Sequence, residues 1–188
     1  VVALNKPQVN ACVQSQSLPP TAGIMEWAHR LSADDWAELL GKSPALACYA
    51  TLESEAEERD SVAFDDVDGG RQAAEHLLHL GHRKIAFLGL HQKGTQSGPA
   101  WSRLREEGWK QALHDAGYDH AGLAFYAARP TSTTSDPDQV EAVREAARRL
   151  LRRADIDAVV TANDRAAQAL VEELRADVAH KSWPAIVS

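Results

Sequence analysis

The stretch from Ser61 to Leu90, SVAFDDVDGGRQAAEHLLHLGHRKIAFLGL, holds a complete strand, helix, strand unit with its own start and stop signals. Ser61 to Phe64 is a short β-competent run. Asp65 and Asp66 then offer carboxylate oxygens to the free N–H groups of a helix start and place negative charge at its positive end. Ala73, Ala74, Leu77, Leu78 and Leu80 mark one apolar side at roughly helical spacing, and Gly81 stands where a left-handed residue closes a helix. His82, Arg83 and Lys84 bring positive charge past that end, and Ile85 to Leu90 returns as a strand that is apolar on both faces. Such a strand needs cover on both faces, the condition of a parallel sheet sandwiched by helices.

The alternation continues along the chain. GIMEW (Gly23 to Trp27) and ALACYA (Ala45 to Ala50) read as strands around a short helix capped at Ser32, with Trp36, Leu39 and Leu40 on its apolar face and Gly41 at its end. Thr51 to Asp60 is an acidic, solvated connection. A helix from about Trp101 to Ala116 stops at Gly117, and a short strand spans about Leu123 to Ala127. The run RPTSTTSDPD leads to a helix with Ser135 or Asp136 as cap and Pro137 in its first turn. Val140, Val143, Ala147, Leu150 and Leu151 form its buried side, while Arg144, Arg148, Arg149, Arg152 and Arg153 are expected to be solvated or paired with surplus acids. Ala158 to Thr161 is the next strand, Asp164 to Arg175 the next helix, and Ala185 to Val187 one more strand. The fold class is α/β, with parallel sheets flanked by helices.

Composition excludes several functions. With 20 basic and 27 acidic residues the net charge is −7, which gives no general attraction to a phosphate backbone. Two cysteines, Cys12 and Cys48, suggest neither a disulfide framework nor a metal cluster. No apolar run reaches spanning length, so no membrane partner is expected, and the expected compartment is the cytoplasm. Gly89 to Gly94 has P-loop glycine spacing, but Thr95 and Gln96 follow where Lys and Ser or Thr are needed, and Lys93 lies on the wrong side. The loop HQKGTQSGP therefore reads as a hinge or cleft rim. His76, His79 and His82 have no carboxylate or thiol ligand pattern around them, so no metal site is expected. There is no G-x-S-x-G, H-E-x-x-H or C-x-x-C, so no catalytic residue and no cofactor is assigned.

Candidate binding residues gather at strand ends instead. Asn163 and Asp164 follow the apolar strand AVVTA, where an open sheet forms its cleft, and both suit hydroxyl recognition. Arg105 offers a fork of donors to a carboxylate or to adjacent hydroxyls. Phe64 can stack on a ring face, and Trp101 can line a sugar-like ligand, whereas Trp36 and Trp109 fit a core. The structural alternatives are core packing for Phe64 and helix capping for Asp164.

Three segments resemble one family. D-x-x-x-G-G-x-x-A-x-x-H-L-x-x-L-G-H-R-K-I-A-x-L-G from Asp65 to Gly89, the Arg105 to Leu113 segment R-x-x-G-W-x-x-A-L, and VVTANDRAA from Val159 to Ala167 together resemble the effector-binding domain of LacI/GalR-type transcription regulators. The resemblance spans about Thr21 to Ser188 and implies an incomplete two-lobed, periplasmic-binding-protein-like architecture with approximate lobes 21–90 and 99–188. Residues 1–20 stay unassigned, as a strand or linker remnant. It further implies a small polar, sugar-like effector in contact with the positions of Phe64, Arg105 and Asn163, and assembly as a homodimer. DNA would be bound only through a helix-turn-helix that these residues do not include. The alternatives are a transport-type sugar-binding protein of the same fold and an α/β enzyme with no identifiable catalytic residue.

Overall fold

The computed structural model describes residues 24–27, 46–49, 60–61, 64–91, 98–127, 137–176 and 183–188. The chain divides into two compact units, Val1–Phe64 and Asp65–Ser188. In the first, strands β1 (Ile24–Trp27), β2 (Leu46–Tyr49) and β3 (Asp60–Ser61) form a parallel sheet in that order, with Ile24 opposite Leu46 and Ala47 opposite Asp60. The strand expected over Ser61 to Phe64 is thus a two-residue strand that starts one position earlier. The helix expected after Ser32, with Trp36, lies outside the described residues.

The second unit carries α1 (Asp66–His79), β4 (Ile85–Gly89), α2 (Ala100–Asp115), β5 (Ala124–Tyr126), α3 (Pro137–Leu151), β6 (Ala158–Thr161), α4 (Asp164–Ala176) and β7 (Ala185–Val187). Its four strands are parallel in the order β5-β4-β6-β7. The division falls at Phe64 and Asp65, ahead of the 90–99 loop where the sequence suggested a lobe boundary. The reason is packing and pairing: β4 lies between β5 and β6, and α1 packs on α2.

Apolar runs fill the two central strands. All five residues of β4 and all four of β6 are buried. Right-handed crossovers place the helix that leads from β4 out to β5 on one face, and the helices that lead back to β6 and on to β7 on the other. Accordingly α1 packs on α2, and α3 packs on α4. Trp109, Phe87, Leu77, Leu113, Leu150 and Leu170 are the large side chains that close the core.

Helix ends follow local chemistry. The Asp65 carboxylate accepts the Asp68 N–H at 2.9 Å, so Asp65, not Asp66, is the cap of α1. Gly81 has φ +97°, and the bonds Gly81 N–H to Leu78 O and His82 N–H to Leu77 O complete the left-handed stop. Gly117, at φ +76°, ends α2 in the same way. Two residues assigned to buried faces are exposed. Leu80 is the C-cap residue of α1, where the turn and not the helical repeat sets direction, and Val140 lies in the first turn of α3. Ala142 and Ala146 take the buried places beside Val143, Ala147 and Leu150. The arginines of α3 and of the turn after it are largely paired: Arg144 with Glu172, Arg148 with Glu141, Arg153 with Asp155, while Arg149 donates to the Tyr126 carbonyl.

The contact between α1 and α2 is made by backbone. A Cβ on Gly70 would stand 2.0 Å from the Arg105 carbonyl oxygen, and one on Gly108 would stand 1.8 Å from the Val67 carbonyl oxygen. Each glycine comes from one of the motifs that carry the family resemblance, and only hydrogen in place of a side chain admits this approach.

Candidate functional site

In a parallel sheet the crevice opens at the carboxyl edge, between neighbouring strands whose following helices go to opposite faces. Here those strands are β4 and β6, joined in register from Ile85 opposite Ala158 to Leu88 opposite Thr161. Beyond them the Ala162 N–H donates to the Leu88 carbonyl at 2.9 Å. The starts of α1, α2 and α4 meet at this edge.

Arg105 spans the crevice. Its Nε donates to Asp66 Oδ1 at 2.9 Å and its Nη1 to the Ala162 carbonyl at 2.6 Å, while its guanidinium carbon lies 5.4 Å from the Trp101 ring centroid. The Asp66 side chain is buried at 3% exposure, whereas Arg105 keeps 31%. Burial pushes the Asp66 carboxyl up from its ordinary value, and the hydrogen bond and charge of Arg105 oppose that rise. The close approach at Gly70 fixes the Arg105 backbone against α1 and so sets this pair. Two edges of the guanidinium are occupied by protein, and Nη2 has no partner among the described residues.

Of the other expected residues, Asn163, Asp164 and Trp101 lie at the same edge of the second unit. Asn163 Oδ1 accepts the Ala166 N–H at 2.9 Å and caps α4, which leaves its amide N–H groups for other acceptors. The capping role weighed for Asp164 belongs to Asn163. Asp164 is exposed, and its carboxylate accepts the Arg165 N–H at 3.0 Å. Trp101 lies in the first turn of α2 and packs part of its ring on the core. Phe64 immediately precedes the α1 cap, belongs to the first unit and is exposed at 65%, so core packing does not account for it.

A second polar cluster, absent from the sequence reading, lies buried beside β4. Ser102 Oγ accepts the Leu90 N–H at 3.0 Å and stands 2.9 Å from His91 Nδ1, and His91 Nε2 stands 2.7 Å from Glu106 Oε2. Tyr126 donates to Glu106 Oε1 at 2.6 Å, and Lys110 Nζ lies 2.7 Å from the same oxygen. In a neutral His91 whose ring proton sits on Nε2, facing the carboxylate, Nδ1 is left as an acceptor for the Ser102 hydroxyl. Burial opposes ionisation of Glu106, but the hydrogen bonds from His91, Lys110 and Tyr126 outweigh it and hold the carboxyl at about 2. The Tyr126 phenol is pushed up by burial and then by Glu106. Serine, histidine and glutamate in line resemble a nucleophilic triad, yet Ser102 is fully buried and has no opening to a substrate. The cluster instead ties the end of β4 to α2 and β5. One signal was available: Ser102, Glu106, Trp109 and Leu113 share a helical stripe, which places two polar residues on a buried face.

Among the described residues no group of histidine, cysteine, aspartate or glutamate forms a metal site. No helix among them is long and apolar enough to cross a membrane.

Known proteins with this arrangement point one way. The HTH-type transcriptional regulator GntR of Pseudomonas aeruginosa is 34% identical over 120 residues, covering 62% of this chain and 31% of the relative. CelR of Thermobifida fusca, also an HTH-type transcriptional regulator, is 37% identical over 118 residues, covering 61% and 30%. The chain thus spans just under a third of the length of these curated relatives. Among solved structures, a transcriptional regulator CelR–cellobiose complex matches at TM-score 0.64 and 25% identity, over 93% of this chain and 50% of that one. A LacI family regulator from Enterococcus faecium with bound ribose matches at TM-score 0.67 and 26% identity, over 94% and 58%. The family model of a periplasmic binding protein-like domain matches residues 74–179. On that match, which takes in more than half of its residues, the chain belongs to the periplasmic-binding-protein-like domain family.

Proposed function

We propose that this chain senses a small polar effector for a LacI/GalR-type transcription regulator in the cytoplasm, with the effector held at the β4 and β6 crevice. The observation that supports the reading most is the guanidinium of Arg105, fixed on two sides and, among the described residues, open on the third, beside amide N–H groups of Asn163 that have no acceptor among those residues and the ring of Trp101. Donors held in place before binding lose little entropy when a hydroxyl arrives. Effector binding would act by stabilising one conformation over another, and DNA would be addressed by a separate head. Relatives with cellobiose and ribose in their structures make sugars the first ligands to try. The chain is read as no enzyme: the one triad-like cluster among the described residues is sealed around Ser102.

The test is a thermal-shift screen with ribose, cellobiose, sugar phosphates and nucleosides, followed by calorimetry on variants. Arg105→Ala is a poor choice, because it strands the buried Asp66 carboxylate at a cost of about 2 kcal/mol. Arg105→Lys keeps a cation beside Asp66 and loses the fork. Its stability should change by about 1 kcal/mol at most, while affinity for the stabilising ligand falls roughly ten- to a hundredfold. Equal affinity in both proteins would remove Arg105 from the site, and with it the reading.

A second copy is the expected partner. Sedimentation velocity at micromolar concentration should show twice the chain mass, and a strict monomer would count against regulation through a dimer.

A further inference from the structure

Three helices point their N-termini at the crevice edge, a setting that by itself favours anions. An arginine at such an edge would complete a phosphate or carboxylate site. The chain counters this with a buried acid. Asp66 reaches Arg105 Nε at 2.9 Å and is shielded from solvent at 3% exposure, so its charge is opposed by the guanidinium and scarcely screened by water. Asp65 and Asp164 stand exposed at the same edge and add negative field. What remains on Arg105 is the Nη2 donor of a charge-compensated group.

We propose that Asp66 is a specificity-determining residue: by neutralising Arg105 it makes the crevice accept neutral hydroxyl ligands and reject anionic ones. The inference rests on the effector-site reading above and decides between the carboxylate and hydroxyl partners that an arginine fork serves equally well. Asp66 itself need touch no ligand. Its effect is to cancel the long-range attraction and leave the short-range hydrogen bond, which a hydroxyl can use and for which a phosphate gains too little to offset its desolvation.

Inorganic phosphate is the probe, titrated by calorimetry and by ³¹P resonance into the wild type and variants. Asp66→Asn should bind phosphate at least about tenfold more tightly than the wild type, since a neutral amide leaves the Arg105 charge uncompensated. Asp66→Glu, which keeps the charge, should stay at the wild-type level. Adding Arg105→Met to Asp66→Asn should abolish the gain. Asp66→Ser runs alongside Asp66→Asn, so that a folding defect in one leaves the comparison intact. Equal phosphate affinity in wild type and Asp66→Asn, whether both bind or neither does, would overturn the proposal. So would a gain that survives Arg105→Met, or loss of fold in both neutral variants, which would make Asp66 structural. Failure of every neutral sugar to stabilise the wild type sinks the effector reading instead and leaves the phosphate comparison standing as a separate result.

Discussion

Gly108→Ala should destabilise the second unit by about 3 kcal/mol, although helix propensity alone predicts a gain of about 1 kcal/mol from the same change. The new Cβ would sit 1.8 Å from the Val67 carbonyl oxygen and 2.6 Å from the Arg71 nitrogen. Both are backbone atoms inside α1, so neither can swing away, and the helices must part. Parting them removes apolar contact around Ala74, Leu77 and Trp109 and shifts Arg105 away from Asp66. Gly69→Ala is the control. Nothing lies within 4 Å of a Cβ there, and Gly69 is an exposed helical residue, so that variant should gain up to about 1 kcal/mol. Urea unfolding of the three proteins reads both signs at once. A stabilised Gly108→Ala protein would mean that α1 and α2 do not approach as described.

Removing the charge of Glu106 should have an effect of similar size with a distinct pH signature. Its carboxyl is held at about 2 in the folded chain against an ordinary value of 4.5. The unfolded chain therefore binds this proton more readily, and stability falls as pH drops. The contribution is present in full above pH 4.5, fades as pH falls towards 2, and amounts to about 3 kcal/mol at neutral pH. Glu106→Gln should lose about that much at pH 7, since it leaves Lys110 without its anion and forces His91 and Tyr126 to share a neutral amide. The gap between wild type and variant should close as acid is added. A constant gap down to pH 2 would show that packing around residue 106, and not its charge, carries the effect.

Both predictions concern residues whose importance was unevenly legible. β6 and β7 have the bounds that the sequence suggested, because each is a short run rich in β-branched residues, too short for a helix. Gly81 and Gly117 were legible as stops, since a glycine after an apolar helical stripe has a definite job. Leu80 was misread because periodicity was carried one residue past the last helical turn. The buried cluster of His91, Ser102, Glu106 and Tyr126 carries no local motif: its members come from a strand end, a helix and another strand end, and meet only because β4 lies between α2 and β5. Asp66 was hidden for a related reason. Two adjacent aspartates at a helix start both look like caps, and only the fold, by bringing Arg105 to one of them, separates their roles. Arg105 and Asn163 could be named as candidates from the sequence, but their bonds to Asp66, Ala162 and Ala166 could not, since an ion pair and a helix cap depend on partners that the spacing does not reveal.

The contact at Gly70 and Gly108 bears on how a displacement at the crevice edge would travel. Side chains at an interface yield by changing rotamer, and a small displacement is absorbed within them. Where carbonyl oxygens rest directly on glycine α-carbons there is no rotamer to spend, and the separation of the two helices has one value. A pull on Arg105 is then a pull on α1 as a whole. Held together in this way, the two helices would move as a rigid crank, and a shift at the Asp66 end would arrive at His79, at the far end of the α1 helix.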